Sequence, residues 1–149
     1  MASRYFERKE AEELLPTLTP WLEEARGEKQ AIEAFKAELA QVASRIMVLG
    51  GTSPPLADLM RKKTEHDAAA ERLVEIVNRI QETGVLVKDL EIGLIDFPSL
   101  LEGEEIYLCW KLGEDRIAFW HGTDEGFAGR KPIDEPKAGP TPQQGPRLQ

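Results

Sequence analysis

Apolar residues spaced by three and four are the feature that most restricts the fold of this chain. They recur over residues 18–49, where only Glu28 breaks the apolar character, and this is the pattern of a long helix that packs along one side. A second run with the same spacing covers residues 56–80 and includes the polar residues Lys63 and His66. Between the two runs, GGTSPP combines glycines that end a helix with a serine and prolines that begin the next. The sequence therefore predicts a long antiparallel helical hairpin, coiled-coil-like, over about residues 16–83.

Two prolines leave the start of the first helix open. Pro20 can take the first helical position with Thr19 as the N-cap, and Pro16 can fill the same role one turn earlier. A proline inside a helix removes a hydrogen bond and crowds the preceding turn. Either assignment therefore starts the helix close to one of these prolines.

The predicted helices are long for a domain of this size. A helix of about 28 residues extends about 42 Å, whereas the radius of gyration of such a domain is about 15 Å. The hairpin should therefore project, and its end carries more apolar surface than two helices can hide from water. The residues concerned are Met47, Val48, Leu49, Leu56 and Met60. We expect this surface to bind a second copy of the chain, giving a homo-oligomer.

After the hairpin the sequence changes to short segments rich in β-branched and aromatic residues. These are VLVKDL, IGLIDF, EIYLCWKL and RIAFWH, and LGED between the last two is typical of a hairpin turn. They predict an antiparallel sheet of three or four strands over about residues 85–121, packed at the base of the hairpin. The N-terminal residues, including Phe6, should close the same end.

The predicted fold class is therefore α+β, with one domain over residues 1–133. Within it, residues 122–133 form a C-terminal loop after the sheet. Residues 134–149 are rich in Pro, Gly and Gln and contain little that could be buried, so we expect a disordered tail.

Charge and cysteine usage exclude several classes of protein. The formal net charge of -8 disfavours a nucleic-acid interface, which needs clustered Lys and Arg. No apolar run reaches the roughly 18–20 residues of a membrane span, and the start of the chain lacks the apolar core of a signal peptide. The single cysteine, Cys109, allows no internal disulfide, which fits a reducing compartment. We expect a cytoplasmic protein that binds neither nucleic acid nor membranes.

Four short motifs stand out in the second half of the chain: KDL, GLIDFP, YLCW, and WH followed by GFAGR. Together with YFERKEAEELLPTLTPWLEEA and the helical hairpin, they resemble the prokaryotic family catalogued as domain of unknown function 2203, over roughly residues 4–133. The resemblance implies positions of interest but no activity. These positions are Lys88, Asp89, Gly93, Asp96, Phe97, Pro98, Cys109, Trp110, Trp120, His121, Gly126, Gly129 and Arg130.

His121 is the leading candidate for chemistry, because imidazole suits proton transfer and metal binding near neutral pH. The simplest interpretation is a histidine at a strand end, hydrogen-bonded to backbone or to a carboxylate. A metal site would need carboxylates beside it, and Asp96, Asp124 and Glu104 are candidates. Cys109 could add a sulfur ligand only from the same sheet face. The chain has no HxxxH, HExxH or paired CxxC motif, so spacing assigns no metal, cofactor or catalytic residue.

Strand alternation places Ile117, Phe119 and His121 on one sheet face and Trp120 on the other. Cys109, between bulky apolar neighbours, is expected to be a buried small side chain and not a nucleophile.

The segment TDEGFAGRKP offers two glycines and Arg130, which could bind an anion. An ion pair of Arg130 with Asp96 or Asp124 is the favoured interpretation. The tryptophans are expected to be core or interface anchors, with ligand stacking as the alternative. The candidate ligand-binding residues are Asp96, Trp110, Trp120, His121, Asp124 and Arg130.

Two functions of different kinds follow. The preferred one is a structural or interaction module that self-associates through the hairpin and receives a protein partner or small ligand at the sheet end. The alternative is a metal- or ligand-dependent enzyme centred on His121, with Asp96, Asp124 and Arg130 around it.

Overall fold

The computed structural model describes residues 4–49 and 56–133. Two helices are followed by five antiparallel strands in the order β1-β2-β3-β4-β5, which confirms the predicted α+β class. The helices are α1 (Arg8–Leu49) and α2 (Leu56–Glu82). The strands are β1 (Leu86–Asp89), β2 (Leu94–Leu101), β3 (Glu104–Lys111), β4 (Phe119–Gly122) and β5 (Lys131–Pro132), with a short 3-10 helix at Phe127–Gly129. The GGTSPP connection and the predicted tail lie outside the described residues.

The predicted start of α1 is wrong. The helix begins at Arg8 and contains both Pro16 and Pro20. Its first turn is closed instead by Glu10, whose side chain accepts a hydrogen bond of 2.9 Å from the Glu7 N–H.

Packing explains why α1 continues through its prolines. Pro16 and Pro20 are four residues apart, so they lie on one face of the helix, and both are exposed. Water can therefore reach the carbonyl groups that lose their helical partners there. The opposite face is continuously buried against the rest of the domain, which holds the helix together across this region. Its buried residues are Ala11, Leu15, Leu18, Leu22 and Ala25.

The apolar core lies between the sheet and the ends of the helices nearest to it. Ile95 and Phe97 of β2 face the helices and are fully buried. The N-terminal segment closes this end, as predicted. The ring of Phe6 meets that of Phe97 edge-on at 5.3 Å, and its backbone carbonyl accepts a 2.7 Å hydrogen bond from the Ser99 hydroxyl.

The sheet has one strand more than the three or four expected. β5 has only two residues, and it pairs with Phe119 and Trp120 of β4. Ile133 extends this contact, because its N–H donates to the Ala118 carbonyl at 2.8 Å. A two-residue strand carries no alternation of its own, so the segment predicted as a loop joins the sheet only because it folds back along β4.

The outer part of the hairpin has no such core. Ile32 of α1 and Ala69 of α2 are the outermost buried residues of the two helices. Over residues 33–49 and 57–68, none of the described side chains is buried. At 42 residues, α1 extends about 63 Å. The hairpin therefore continues well past the domain core.

Gly93, in the turn between β1 and β2, packs closely against the side chain of Leu112. Its φ is 65°, and a Cβ atom built there would lie 2.4 Å from Cγ of Leu112. Gly103 also has a positive φ, 87°, but a Cβ there would meet nothing within 4 Å.

We predict that Gly103→Ala costs about 1–2 kcal/mol through backbone strain alone. Gly93→Ala should cost about 1–3 kcal/mol more, because Leu112 must also move. Urea unfolding followed by far-UV circular dichroism measures both. Equal losses in the two variants would show that Leu112 accommodates the extra methyl group freely.

Candidate functional site

Three buried side chains from neighbouring strands meet on the sheet face that points away from the helices. Asp96 of β2 lies directly opposite Cys109 of β3. Tyr107, two residues before Cys109 on the same face, lies opposite His121 of β4. Since side chains alternate along a strand, this register puts Asp96, Cys109 and His121 together. We call these three residues the sheet cluster.

His121 has defined partners on both ring nitrogens. Nε2 lies 3.1 Å from each carboxylate oxygen of Asp96, and Nδ1 lies 2.9 Å from the carbonyl oxygen of Gly122. A carbonyl can only accept, so Nδ1 carries a hydrogen and donates it. The ring is thereby oriented with Nε2 directed at Asp96, and the predicted hydrogen bonds to backbone and carboxylate are both present.

Burial determines the electrostatics of the cluster. The exposed fractions of Asp96, Cys109 and His121 are 1%, 0% and 2%. Burial raises the pKa of Asp96, and the nearby His121 and Lys88 oppose that rise. Burial also raises the pKa of the Cys109 thiol to about 12, with a further contribution from the Asp96 carboxylate. Cys109 is therefore a neutral thiol at physiological pH unless a cation binds to it.

The cluster is also a set of metal-ligand atoms. One donor atom each from Asp96, Cys109 and His121 lies within 4.8 Å of the others. The condition set for Cys109, that it share a sheet face with His121, is met. The other carboxylates considered as ligands, Asp124 and Glu104, are exposed and lie outside this group.

Arg130 lies on the same face but has a different partner from those expected. Its Nη2 lies 2.9 and 2.8 Å from the two carboxylate oxygens of Glu114, so the predicted pair with Asp96 or Asp124 is wrong. The guanidinium also stacks on Phe119, 4.0 Å from the ring centre. The LGED turn brings Glu114 to this position. The separation of Glu114 and Arg130 in the sequence does not predict their contact.

The two tryptophans proposed as ligand contacts face the other way. Trp110 is buried in the helix-side core and donates from Nε1 to the Glu114 carbonyl at 3.0 Å. Trp120 packs against the same core and lies under Lys131, whose Nζ is 4.5 Å from its ring centre. The structure thus separates the tryptophans from the sheet cluster and agrees with their role as anchors.

The predicted face of Ile117 is also wrong. Phe119 and His121 share a face of β4, as expected, but the strand begins only at Phe119. Ile117 precedes it and is fully buried in the helix-side core, and its N–H donates to a carboxylate oxygen of Glu12 at 3.1 Å. The alternation does not extend back to this residue.

Two residues near His121 were not selected from the sequence. Tyr107 packs its ring 5.5 Å from the imidazole, and strand register is the only signal that could have identified it. Glu125 accepts a 2.8 Å hydrogen bond from the Gly122 N–H and binds Lys131. The hydrogen bond from Lys131 lowers the pKa of Glu125. These contacts tie residues 122–131 back onto the sheet.

Together, the fold and the cluster define an α+β protein with a projecting helical hairpin and a buried Asp–Cys–His group on its sheet. The chain belongs to the family described as uncharacterized conserved protein, domain of unknown function 2203, whose model matches residues 4–133. Comparisons with curated proteins and with solved structures found no match. Among the described residues, neither helix combines the length and apolar character needed to span a bilayer.

The burial and raised pKa of Cys109 predict an unreactive thiol. A disulfide reagent such as Ellman's reagent needs an accessible thiolate. We expect no labelling of the native chain within the time in which the chain unfolded in guanidinium reacts completely. Rapid stoichiometric labelling of the native protein would instead identify Cys109 as an exposed nucleophile.

Proposed function

We propose that this protein is an interaction module whose hairpin binds a second copy of the same chain. The observation that carries the proposal is an apolar groove on the outer hairpin, with a volume of about 490 Å³. We call it the outer groove. It is lined by Phe35, Lys36 and Leu39 of α1 and by Leu59, Met60, Lys63, His66 and Asp67 of α2.

The outer groove presents apolar atoms almost exclusively. Leu39 and Met60 are 45% and 61% exposed although both are large apolar side chains. Fully burying an exposed side chain of this kind contributes about 1.5–3 kcal/mol, and roughly half of that is still to be gained at Leu39 and Met60. Met47 and Val48, nearer the end of α1, are also exposed. Leu49 and Leu56, which were expected in the same surface, have side chains outside the described set. A partner that covers the groove would gain this burial free energy.

Charge favours a second copy as that partner. The whole chain carries a net charge of -8, which opposes association of like molecules. Residues 36–49 and 56–67, however, contain five Lys or Arg and four Asp or Glu. The outer hairpin is thus almost neutral, and two copies can meet there without the repulsion that the rest of the surface would cause.

Contacts between α1 and α2 hold the two walls of the outer groove in fixed positions. Glu28 of α1 holds Arg72 of α2 through hydrogen bonds of 2.7 and 3.1 Å. Farther out, Lys62 donates to Glu38 at 2.6 Å. In the groove itself, the rings of Phe35 and His66 lie tilted against each other with their centres 4.9 Å apart. A groove formed in advance reduces the ordering cost of association.

The closed sheet cluster supports a binding role over the alternative of an enzyme centred on His121. A general base must come within hydrogen-bond reach of its substrate. His121 and Asp96 are almost completely buried and already bind each other.

We also propose a cytoplasmic location, since the single cysteine is a free, buried thiol.

Sedimentation velocity of the full chain over a range of concentrations tests self-association. We expect a monomer–dimer equilibrium that shifts to the dimer at high micromolar concentration. Leu39→Glu or Met60→Glu should remain monomeric, because each would bury an unpaired carboxylate in the interface. Raising the salt concentration should have little effect, since the contact is mainly apolar.

Val74→Glu is the matched control. Val74 is 59% exposed on the same helix as Met60 but does not line the outer groove. This variant should associate like the unmodified protein, and circular dichroism should show unchanged helix content in all variants. A chain that is monomeric at every concentration, or a control as impaired as Met60→Glu, would contradict the proposal.

A further inference from the structure

We propose that Asp96, Cys109 and His121 bind one zinc ion inside the sheet. The inference goes beyond self-association, because it concerns other residues at the opposite end of the molecule. Each of the three central strands β2, β3 and β4 supplies one ligand. The ion would therefore fasten the middle of the sheet.

The orientation of His121 indicates a cation beside its Nε2. Its Nδ1 donates to the Gly122 carbonyl, so a neutral ring has its lone pair on Nε2, directed at the Asp96 carboxylate. Two electron-pair donors at 3.1 Å in a buried site need a cation between them, either a proton or a metal ion. A histidine that ligates a metal usually donates its other N–H to a carbonyl or carboxylate, as His121 does.

The position of Cys109 favours a metal ion over a proton as the cation between Asp96 and His121. The Cys109 thiol also donates a hydrogen bond to Asp96. It thereby adds a third donor at the same point, with the three donor atoms within 4.8 Å of one another, whereas a proton shared by Asp96 and His121 needs only two. Ligand atoms around tetrahedral zinc lie roughly 3.3–3.6 Å apart, from bond lengths of about 2.0–2.3 Å. The side chains therefore need only small movements to surround one ion.

The charge of such a site suits its burial. A thiolate, a carboxylate and a neutral imidazole balance the two positive charges of Zn²⁺, so the loaded cluster is formally neutral. Burying an unbalanced charge among apolar groups is strongly unfavourable. A coordinated thiol loses its proton even where burial would otherwise keep it neutral.

The donor set also selects the kind of metal. Sulfur and imidazole nitrogen disfavour Mg²⁺ and Ca²⁺, which prefer oxygen ligands. Zinc accepts sulfur, nitrogen and carboxylate oxygen together in four-coordinate geometry. Both oxygens of Asp96 face His121, so the second carboxylate oxygen can take the fourth position. Because the cluster is closed to solvent, the role that follows is structural.

Arg130 lies where it can support the thiolate. It stacks on Phe119, which is the direct cross-strand neighbour of Cys109. Within the described residues, its Nε is buried without a hydrogen-bond partner. A hydrogen bond donated from this N–H to a metal-bound sulfur would be the kind of outer contact that stabilises such a site.

Metal analysis of the full chain, purified without a histidine tag, is the direct test. After removal of metal with a chelator, adding Zn²⁺ should restore one ion per chain and raise the Tm with increasing zinc concentration. Co²⁺ in place of zinc should give visible bands and a near-ultraviolet thiolate-to-metal charge-transfer band.

Variants assign the ligands. Cys109→Ser should abolish the charge-transfer band, and His121→Ala and Asp96→Asn should each weaken zinc binding. For His121→Ala the loss should exceed about 100-fold, because removing an outer contact alone costs about 10–100-fold. His66→Ala is the control, since His66 binds Asp67 on the hairpin and is the only other histidine. It should bind zinc like the unmodified protein.

Several outcomes would overturn the inference. Zinc that binds less than stoichiometrically and leaves the Tm unchanged would do so, as would binding that is lost in His66→Ala but kept in His121→Ala. A cobalt spectrum without thiolate character would exclude Cys109 as a ligand. Sedimentation of the chelated protein separates the two proposals, because dimer formation through the outer groove should not need the metal.

Discussion

Pairing between β2 and β3 governs both faces of the sheet. The register that sets Asp96 opposite Cys109 also sets Phe97 opposite Leu108 on the other face, where both are fully buried against the helices. A slip of one residue would exchange the faces, placing the acid in the apolar core and the phenylalanine outside. The burial free energy of the helix-side residues therefore also holds the polar cluster in place.

The helices depend on the same apolar contacts at one end only. Near the sheet, burial is strong enough to carry α1 through Pro16 and Pro20. Farther out, the two helices are joined by ion pairs such as Glu38 with Lys62, and ion pairs at exposed positions contribute little, typically under about 1 kcal/mol. The outer hairpin is thus the part of the molecule with the most burial still to gain from a partner.

Sequence periodicity was sufficient to predict the helical hairpin, the antiparallel sheet and the position of the core. It failed where tertiary packing overrides local preference, as at the prolines of α1, or where a segment has no pattern of its own, as at β5. The residue types alone allow Asp96 to pair with His121. Their convergence with Cys109 depends on strand register, and the contact of Arg130 with Glu114 depends on how a turn folds. Neither can be read from spacing.

α1 passes without a break from beneath the sheet to Leu49. Proline is where a helix kinks most readily, and both prolines of α1 lie near the sheet, so the angle between the outer groove and the sheet is set at the base of the hairpin. A partner bound at the outer groove would therefore also fix the orientation of the sheet. In a dimer joined through the outer groove, the two sheets would therefore have a fixed orientation relative to each other.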